Sequence, residues 1–181
     1  MRNKKVVIAP DSFKESLSAL EVAKAIESGF RQVFPNWSYV KVPMADGGEG
    51  TVQSIVDATG GKIKRVNTTD SLGREIEAFY GISGNGAQAI IEMAAASGLE
   101  WIKPEERDVM KASSSGLGDL IKAALDQGVE EIFIGLGGSA TNDAGAGMIQ
   151  RLGGQLLDKN GESIPSGGEG LASFFLSPEP L

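Results

Sequence analysis

The segment that most constrains the fold of this chain is Gly135–Met148 (GLGGSATNDAGAGM). It follows a short apolar run, Glu131–Ile134, that predicts a strand, and it leads into Ala144–Leu152, which predicts a helix. Glycines let a backbone approach a ligand closely, and the first turn of a helix presents unpaired N–H groups to an anion. The segment therefore predicts either a phosphate-binding loop or only a tight turn between a strand and a helix.

A polar loop follows the first predicted strand. Lys5–Ala9 is an unbroken β-branched run, typical of a strand buried on both faces of a parallel sheet, and a capping box of Ser18 and Glu21 starts the next helix. Open α/β sheets bind ligands at the carboxyl ends of their strands, so this loop is either a ligand site or a solvated surface loop. Lys14 could hold phosphate there as a point charge. The candidate ligand-binding residues of the loop are Asp11, Ser12, Lys14 and Ser16.

A second glycine-rich loop, Met44–Thr51 (MADGGEGT), follows another short predicted strand. Its acids, Asp46 and Glu49, could hold Mg²⁺ through one or two oxygens and bound water. They could instead only cap the helix that follows, since acids are favoured in a first helical turn. The two glycines between them, Gly47 and Gly48, are further candidates for phosphate contact.

The middle of the chain predicts a three-stranded antiparallel meander. Its strands are Lys62–Thr68, Ile76–Ile82 and Ala87–Glu92, joined by short turns. The last strand ends in Glu92, which is either an exposed acid at a strand tip or an acid in a cleft.

A run of three serines precedes the next helical pattern, which extends from about Gly118 to Gln127. One serine suffices as an N-cap, so Ser115 is a candidate site residue. Beyond the glycine-rich segment, Gln155–Leu157 predicts a short strand, and Ser163–Leu181 predicts a loop and a frayed terminus.

Composition limits the chemistry that is available. A net charge of −7 argues against a nucleic-acid surface, so an anionic ligand needs local cations, helix N-termini or a metal. The chain has neither cysteine nor histidine, which leaves Asp, Glu, Lys and backbone amides for catalysis. No apolar run reaches the ~20 residues of a membrane span, and the five-residue apolar run after the Lys/Arg start is too short for the apolar region of a signal peptide. We therefore expect a soluble cytoplasmic protein with a small-molecule ligand.

These elements predict an α/β fold with a parallel sheet and a second, partly antiparallel α/β subdomain. The expected division is a parallel α/β part in residues 1–61 and an antiparallel strand-rich subdomain in 62–92. Residues 93–162 form an α/β part with the phosphate loop, and 163–181 an irregular tail.

Two interpretations of the phosphate loop remain open. Gly135, Gly137 and Ala140 match the G-x-G-x-x-A fingerprint of dinucleotide sites, and Asp158 lies about twenty residues on, where a ribose-binding acid belongs. Asp143, however, would then lie beside a pyrophosphate without a cation, and the other two loops would have no role. A Mg²⁺–nucleotide site accounts for all three loops, although a Walker A sequence is absent.

Four motifs, in this order and spacing, resemble the bacterial glycerate kinase type-1 family. They are Ala9–Ala19 (APDSFKESLSA), Met44–Thr51, Ser115–Ile121 (SGLGDLI) and Gly135–Met148. The resemblance implies ATP-dependent phosphorylation of D-glycerate to 2- or 3-phosphoglycerate. It also implies two α/β domains, one Rossmann- or flavodoxin-like, with the active site in the cleft between them.

Members of that family are about twice as long as these 181 residues. We therefore expect the N-terminal portion of the family fold, without its C-terminal half. The isolated chain would be an active kinase or, alternatively, an inactive fragment or nucleotide-binding module; an NAD(P)-dependent oxidoreductase is the weaker alternative. Such a chain could form homo-oligomers or associate with the missing half.

Phosphoryl transfer depends mainly on positioning and charge neutralisation, which assigns an expected role to each motif residue. Lys14 stabilises the transferring group, Asp46 or Asp143 holds Mg²⁺, and Asp11 accepts the glycerate hydroxyl proton. The expected catalytic residues are Asp11, Lys14, Asp46 and Asp143. The expected substrate-binding residues are Ser12, Ser16, Glu49, Glu92 and Ser115. The expected nucleotide- and phosphate-binding residues are Gly47, Gly48, Gly137, Gly138 and Ser139.

Overall fold

Two β-sheets organise the computed structural model, which describes residues 4–13, 16–44 and 46–175. The strands are β1 (Lys5–Ile8), β2 (Ser38–Lys41), β3 (Lys62–Thr69), β4 (Glu75–Ile82), β5 (Gln88–Glu92) and β6 (Glu131–Gly135). The helices are α1 (Ala19–Val33), α2 (Thr51–Thr59), α3 (Ala94–Ser97), α4 (Ser115–Leu125), α5 (Ala146–Arg151) and α6 (Gly168–Leu171). In these described ranges, every helix is too short or too polar to cross a bilayer.

The smaller sheet pairs β1 with β2 in parallel, from Lys5 opposite Ser38 to Ile8 opposite Lys41. The predicted parallel pairing is confirmed, as is the capping box that starts α1. The prediction that β1 is buried on both faces is wrong: Ile8 is buried, but Val7 is 61% exposed. A strand that is buried on both faces needs other elements packed against each face of its sheet. Within the described residues, this sheet consists of β1 and β2, and α1 packs against them.

The larger sheet has the strand order β3-β4-β5-β6. The pairs β3–β4 and β4–β5 are antiparallel, so the predicted meander is confirmed. The last pair, β5–β6, is parallel and sets Glu92 opposite Gly135. The buried acid at the end of β5 and the start of the glycine-rich segment therefore lie side by side at one edge of the sheet.

The central strand β5 is buried on both faces because its side chains alternate between two helical layers. On one face, Ala89 and Ile91 pack against Leu117 and Leu120 of α4 in the main core. On the other face, Ile90 packs against α2 in a second cluster. Burying one such isoleucine stabilises the fold by about 1.5–3 kcal/mol, so this strand and the two helices hold the site loops in place.

The chain after α5 differs in part from expectation. The predicted strand Gln155–Leu157 is wrong, because Leu157 makes a single isolated bridge with Ser163. Within the segment predicted to be irregular, Ile164 is buried and the short helix α6 forms. One buried isoleucine among glycines and serines produces no periodic pattern, which is why the sequence did not indicate it.

Candidate functional site

Three strand-to-helix loops meet at one cavity of about 260 Å³. The loops follow β1, β2 and β6, and the segment after β5 completes the wall. The cavity is lined by Asp11, Ser12, Asp46, Gly48, Glu49, Ala94, Leu99, Glu100, Gly137 and Gly138. An adjoining cavity of about 260 Å³ shares Ser12 and Glu49 and adds Ser16. Predicted residues from all three loops therefore lie together, whereas Lys14 lies outside the described residues.

The loops after β2 and β6 touch through their backbones. The N–H of Gly137 donates to the carbonyl oxygen of Gly47 at 3.1 Å. A Cβ atom on Gly137 would lie 2.7 Å from the Cα of Gly48, and one on Gly135 would overlap the carbonyl oxygen of Gly47. These glycines therefore allow one loop to lie directly on another, a requirement that exists before any ligand is bound.

Most of the predicted phosphate-binding N–H groups already have protein partners. The N–H of Gly47 donates to Thr51 Oγ1 at 3.1 Å, and that of Gly48 donates to Asp46 Oδ1 at 2.8 Å. Within residues 4–13, 16–44 and 46–175, the N–H groups of Gly138 and Ser139 donate to no acceptor. Of the five predicted phosphate-binding residues, these two keep an N–H group that is free, within the described part of the chain, to bind an anion.

Glu92 occupies the N-terminus of α2. The helix begins after Gly50, which has φ +90° and cannot cap the helix with a side chain. Glu92, 3% exposed, accepts the N–H of Val52 through Oε1 at 2.7 Å. Burial raises the pKa of Glu92, although the N–H groups of Val52 and Gly50 act against that rise. Burial excludes the exposed strand-tip interpretation of Glu92, and because Glu92 is not among the cavity-lining residues, its place in a cleft stays a prediction.

Asp143 occupies the equivalent place before α5. Its carboxylate is 1% exposed, and Oδ2 accepts hydrogen bonds from Ser114 N at 2.8 Å, Ser114 Oγ at 2.9 Å and Gly147 N at 3.0 Å. Oδ1 accepts the N–H of Gly145 at 3.2 Å. Asp143 is not among the cavity-lining residues, and its role as a metal ligand stays a prediction.

The serine run lies with Asp143 and not with the cavity. Ser114 Oγ also accepts the N–H of Met148 at 3.0 Å, so it joins the starts of α4 and α5. Ser115 is the first residue of α4, and its N–H donates to Ser113 Oγ at 3.3 Å. Three adjacent serines are therefore accounted for by the contact between two helix ends, and the substrate-binding role of Ser115 stays a prediction.

The cavity wall is acidic. Asp11, Asp46, Glu49 and Glu100 line it, without an arginine or lysine from the part of the chain that the structure describes. Burial raises the pKa of Glu100, and the charge of Glu49 raises it further. In that same part, no three Asp, Glu, His or Cys side chains are close enough to form a metal-binding group. A cation in the cavity would therefore rely on one or two carboxylates, together with ligand oxygens and water.

Glu100 is a cavity residue that the sequence did not indicate. It lies in the 3₁₀ turn Leu99–Trp101, outside every glycine-rich motif. The one available signal was its position, shortly after the carboxyl end of the central strand, where ligand-binding residues concentrate in α/β sheets.

Two acids of the wall also shape their own loops. Asp46 Oδ1 accepts the N–H of Gly48, and Asp11 Oδ1 accepts the N–H of Ser12 at 2.7 Å. The Asp46 bond reaches two residues along the chain, as in an Asx turn, whereas the Asp11 bond reaches only the next residue; both hold the side chain close to its own backbone. Asp158 is the acid that the dinucleotide alternative would use to bind ribose. It holds the turn at residues 158–162 by accepting the N–H groups of Asn160 and Glu162. Those bonds account for Asp158 without a ribose.

The fold and the site define an α/β protein whose ligand cavity is built from strand-to-helix loops at the carboxyl ends of its strands. The model of the glycerate kinase family matches residues 6–175, and the chain belongs to that family.

Several curated relatives are highly similar to the chain. It is 60% identical to glycerate kinase of Haemophilus influenzae over 170 residues, which are 94% of this chain and 45% of the relative. It is 58% identical to glycerate kinase of Bacillus subtilis and 57% identical to glycerate 2-kinase of Escherichia coli, covering 94% and 92% of this chain and 44% of each relative.

A solved structure agrees in fold. The chain superposes on a candidate glycerate kinase 2 from Salmonella typhimurium LT2 with a TM-score of 0.86 and 59% identity, covering 95% of this chain and 47% of that one. The chain thus spans about half the length of the relatives it matches.

Proposed function

We propose that this chain carries part of the active site of a glycerate kinase, which phosphorylates D-glycerate to 2- or 3-phosphoglycerate with ATP. The observation that carries the proposal is the meeting of three loops at one cavity, which Gly138 lines together with Asp11, Asp46 and Glu49. Relatives named as glycerate kinases, at 57% to 60% identity, support the same activity.

The nucleotide phosphates bind at the turn of the glycine-rich loop. Within the described residues the N–H groups of Gly138 and Ser139 are unpaired, and Leu99 fixes that turn by donating its N–H to the carbonyl of Gly138 at 3.0 Å. Gly47, Gly48 and Gly137 act by shaping the two loops, because their own N–H groups are already paired. Lys14 supplies positive charge from the neighbouring loop.

Mg²⁺ fits the acidic cavity wall. Carboxylates are the protein ligands that this ion prefers, it commonly uses only one or two of them, and Asp46 and Glu49 line the same cavity as Gly138 of the phosphate-binding turn. When bound, Mg²⁺ neutralises negative charge on the phosphates, which an acidic cavity otherwise repels. Asp143 is the other predicted ligand, and it would have to exchange hydrogen bonds for the metal.

Glycerate binds near Asp11, Ser12 and Ser16. Asp11 lines the first cavity, Ser16 lines the adjoining one, and Ser12 lines both. The glycerate hydroxyl oxygen attacks the γ-phosphorus of ATP, the bond from that phosphorus to the β,γ-bridging oxygen breaks, and ADP leaves. Asp11 accepts the hydroxyl proton, because the chain has no histidine to act as the base. Glu49 and Ser115 complete the proposed substrate-binding set.

The relatives extend well beyond the matched portion, and we propose that the corresponding segment contributes the opposite wall of the cleft. We also propose a cytoplasmic location, since the reaction consumes ATP. ATP- and Mg²⁺-dependent phosphorylation of D-glycerate by the 181-residue chain, with glycerate omitted or EDTA added as controls, tests the activity.

Three outcomes of that assay are informative. Turnover that requires glycerate, ATP and Mg²⁺ supports the kinase. Binding of MgATP without turnover by the folded chain favours a nucleotide-binding module. Binding of NAD(H) that weakens on Asp158→Ala favours the oxidoreductase alternative and overturns the proposal.

A further inference from the structure

Glu92 links three parts of the site although it does not line the cavity. It ends β5, where it lies opposite Gly135 of β6. Its carboxylate reaches across to α2 and accepts the N–H of Val52 at 2.7 Å. The backbone that leads into α2 is the Asp46–Gly50 loop, which supplies two carboxylates to the cavity.

The Asp46–Gly50 loop depends on this contact because α2 has no cap of its own. The N-cap position is Gly50, and the helix start makes no side-chain capping bond. A helix N-terminus without a cap leaves several N–H groups unpaired, and a buried one needs a partner. Glu92 provides that partner from the end of β5, 40 residues after Val52 in the chain.

The loop is also held at its other end. Gly47 donates its N–H to Thr51 Oγ1 and accepts the N–H of Gly137 through its carbonyl oxygen. A shift of the α2 N-terminus would therefore move Gly47 relative to the phosphate-binding turn. The hydrogen bonds of Gly47 and the bond from Val52 to Glu92 therefore also set the positions of Asp46 and Glu49.

We propose that Glu92 is a positioning residue: it accepts the Val52 N–H to hold the α2 N-terminus, and through it the Asp46–Gly50 loop, against the glycine-rich loop. This proposal rests on the proposed function, because the Asp46–Gly50 loop that Glu92 holds in place is a wall of the proposed phosphotransfer site. Glu92 acts through the backbone of α2, and not by contact with glycerate as predicted from its position at a strand end.

The test compares two substitutions at Glu92 with a matched control in the 181-residue chain. Glu92→Gln keeps an oxygen that can accept from Val52, whereas Glu92→Met has a similar size and no such acceptor. Asp57→Ala is the control, since it removes an exposed acid from the same helix whose partner is the Gln53 side chain. Backbone amide NMR reports the loop, and isothermal titration with MgATP reports the site.

We expect Glu92→Met to shift the amide resonances of Val52 and of the loop residues Gly47 and Gly48, while the remote turn amide of Gly161 keeps its position. MgATP affinity falls about tenfold or more, because binding must then also pay for ordering the Asp46–Gly50 loop. Glu92→Gln and Asp57→Ala retain the loop resonances and bind MgATP within about threefold of the unsubstituted chain.

Unchanged loop resonances in Glu92→Met, or equal perturbation in Glu92→Gln and Glu92→Met, would overturn the proposal. If Glu92→Met does not fold, Glu92→Asp decides, because its shorter side chain withdraws the carboxylate from Val52 and should perturb the same amides. A chain that shows these loop effects but neither binds nor uses MgATP contradicts the proposed function and leaves the positioning role supported.

Discussion

Gly137 donates its N–H to the carbonyl oxygen of Gly47 at 3.1 Å, so two loops that are far apart in sequence share one backbone-to-backbone contact. The contact is possible because position 137 has no side chain: a Cβ there would lie 2.7 Å from the Cα of Gly48 and 3.2 Å from the carbonyl oxygen of Gly47. It explains why both motifs are rich in glycine, and it allows a direct comparison with a glycine that has no such neighbour.

Gly137→Ala is expected to destabilise the chain by about 1–3 kcal/mol, because the new Cβ lies 2.7 Å from the Cα of Gly48 and the loops must separate. Gly29→Ala is the matched control: it lies within α1 with nothing within 4 Å of the added atom, and it should stabilise by about 0.5–1 kcal/mol. Urea unfolding of both variants measures the effect. Equal stability of the two variants would show that the loop contact does not constrain position 137.

Asp143→Ala is expected to lower the free energy of unfolding by about 3–5 kcal/mol. The substitution removes the acceptor of four hydrogen bonds and leaves buried N–H groups of Ser114 and Gly147 without a partner. Asp158→Ala, which opens an exposed turn, should cost much less. Chemical denaturation checks this order, and a loss no larger in Asp143→Ala than in Asp158→Ala would contradict it.

The sequence predicted the elements of this fold well because their signals are local. The apolar run of β5, the capping box of Ser18 and the two glycine-rich loops are each defined by residues that lie close together in the sequence. Because the loops follow the carboxyl ends of strands, the sequence also predicted that they share one site. The cavity lined by Asp11, Asp46 and Gly138 agrees with that prediction.

The hydrogen bonds inside the site could not be predicted, since they join distant parts of the chain. Whether a glycine N–H is free for phosphate depends on the loop opposite, as with Gly137 and Gly47. The starts of α2 and α5 each hold a protein carboxylate, from Glu92 and Asp143 respectively. Glu100 was missed because it belongs to a turn without a motif.

The buried carboxyl of Glu92 should make the stability depend on pH. Burial raises its pKa above the usual 4.5, and the charges of Glu100 and Glu49 raise it further. Ionisation is therefore less favourable in the folded chain than in the unfolded chain. The stability that depends on this group is complete below the unfolded pKa and is lost as the pH rises through the folded pKa.

Glu92→Gln cannot ionise, so its melting temperature relative to the unsubstituted chain should increase as the pH rises from about 4 to about 7. Thermal denaturation across that range measures the difference. Asp57→Asn serves as the control, because its acid is exposed on the surface of α2. A difference that stays constant or decreases with pH would mean that Glu92 ionises as easily in the folded chain as in the unfolded one.

Asp46→Asn separates metal binding from stability. Asp46 is exposed at the cavity wall, and asparagine keeps an oxygen for the N–H of Gly48, so unfolding in urea should be almost unchanged. The affinity for MgATP should nevertheless fall about tenfold or more, because a neutral amide is a poorer Mg²⁺ ligand than a carboxylate. The affinity for ATP measured in EDTA should stay constant or rise, since the substitution removes a negative charge from an acidic cavity. Equal weakening of ATP binding with and without Mg²⁺ would assign Asp46 to the loop structure alone and leave Asp143 as the predicted metal ligand to test.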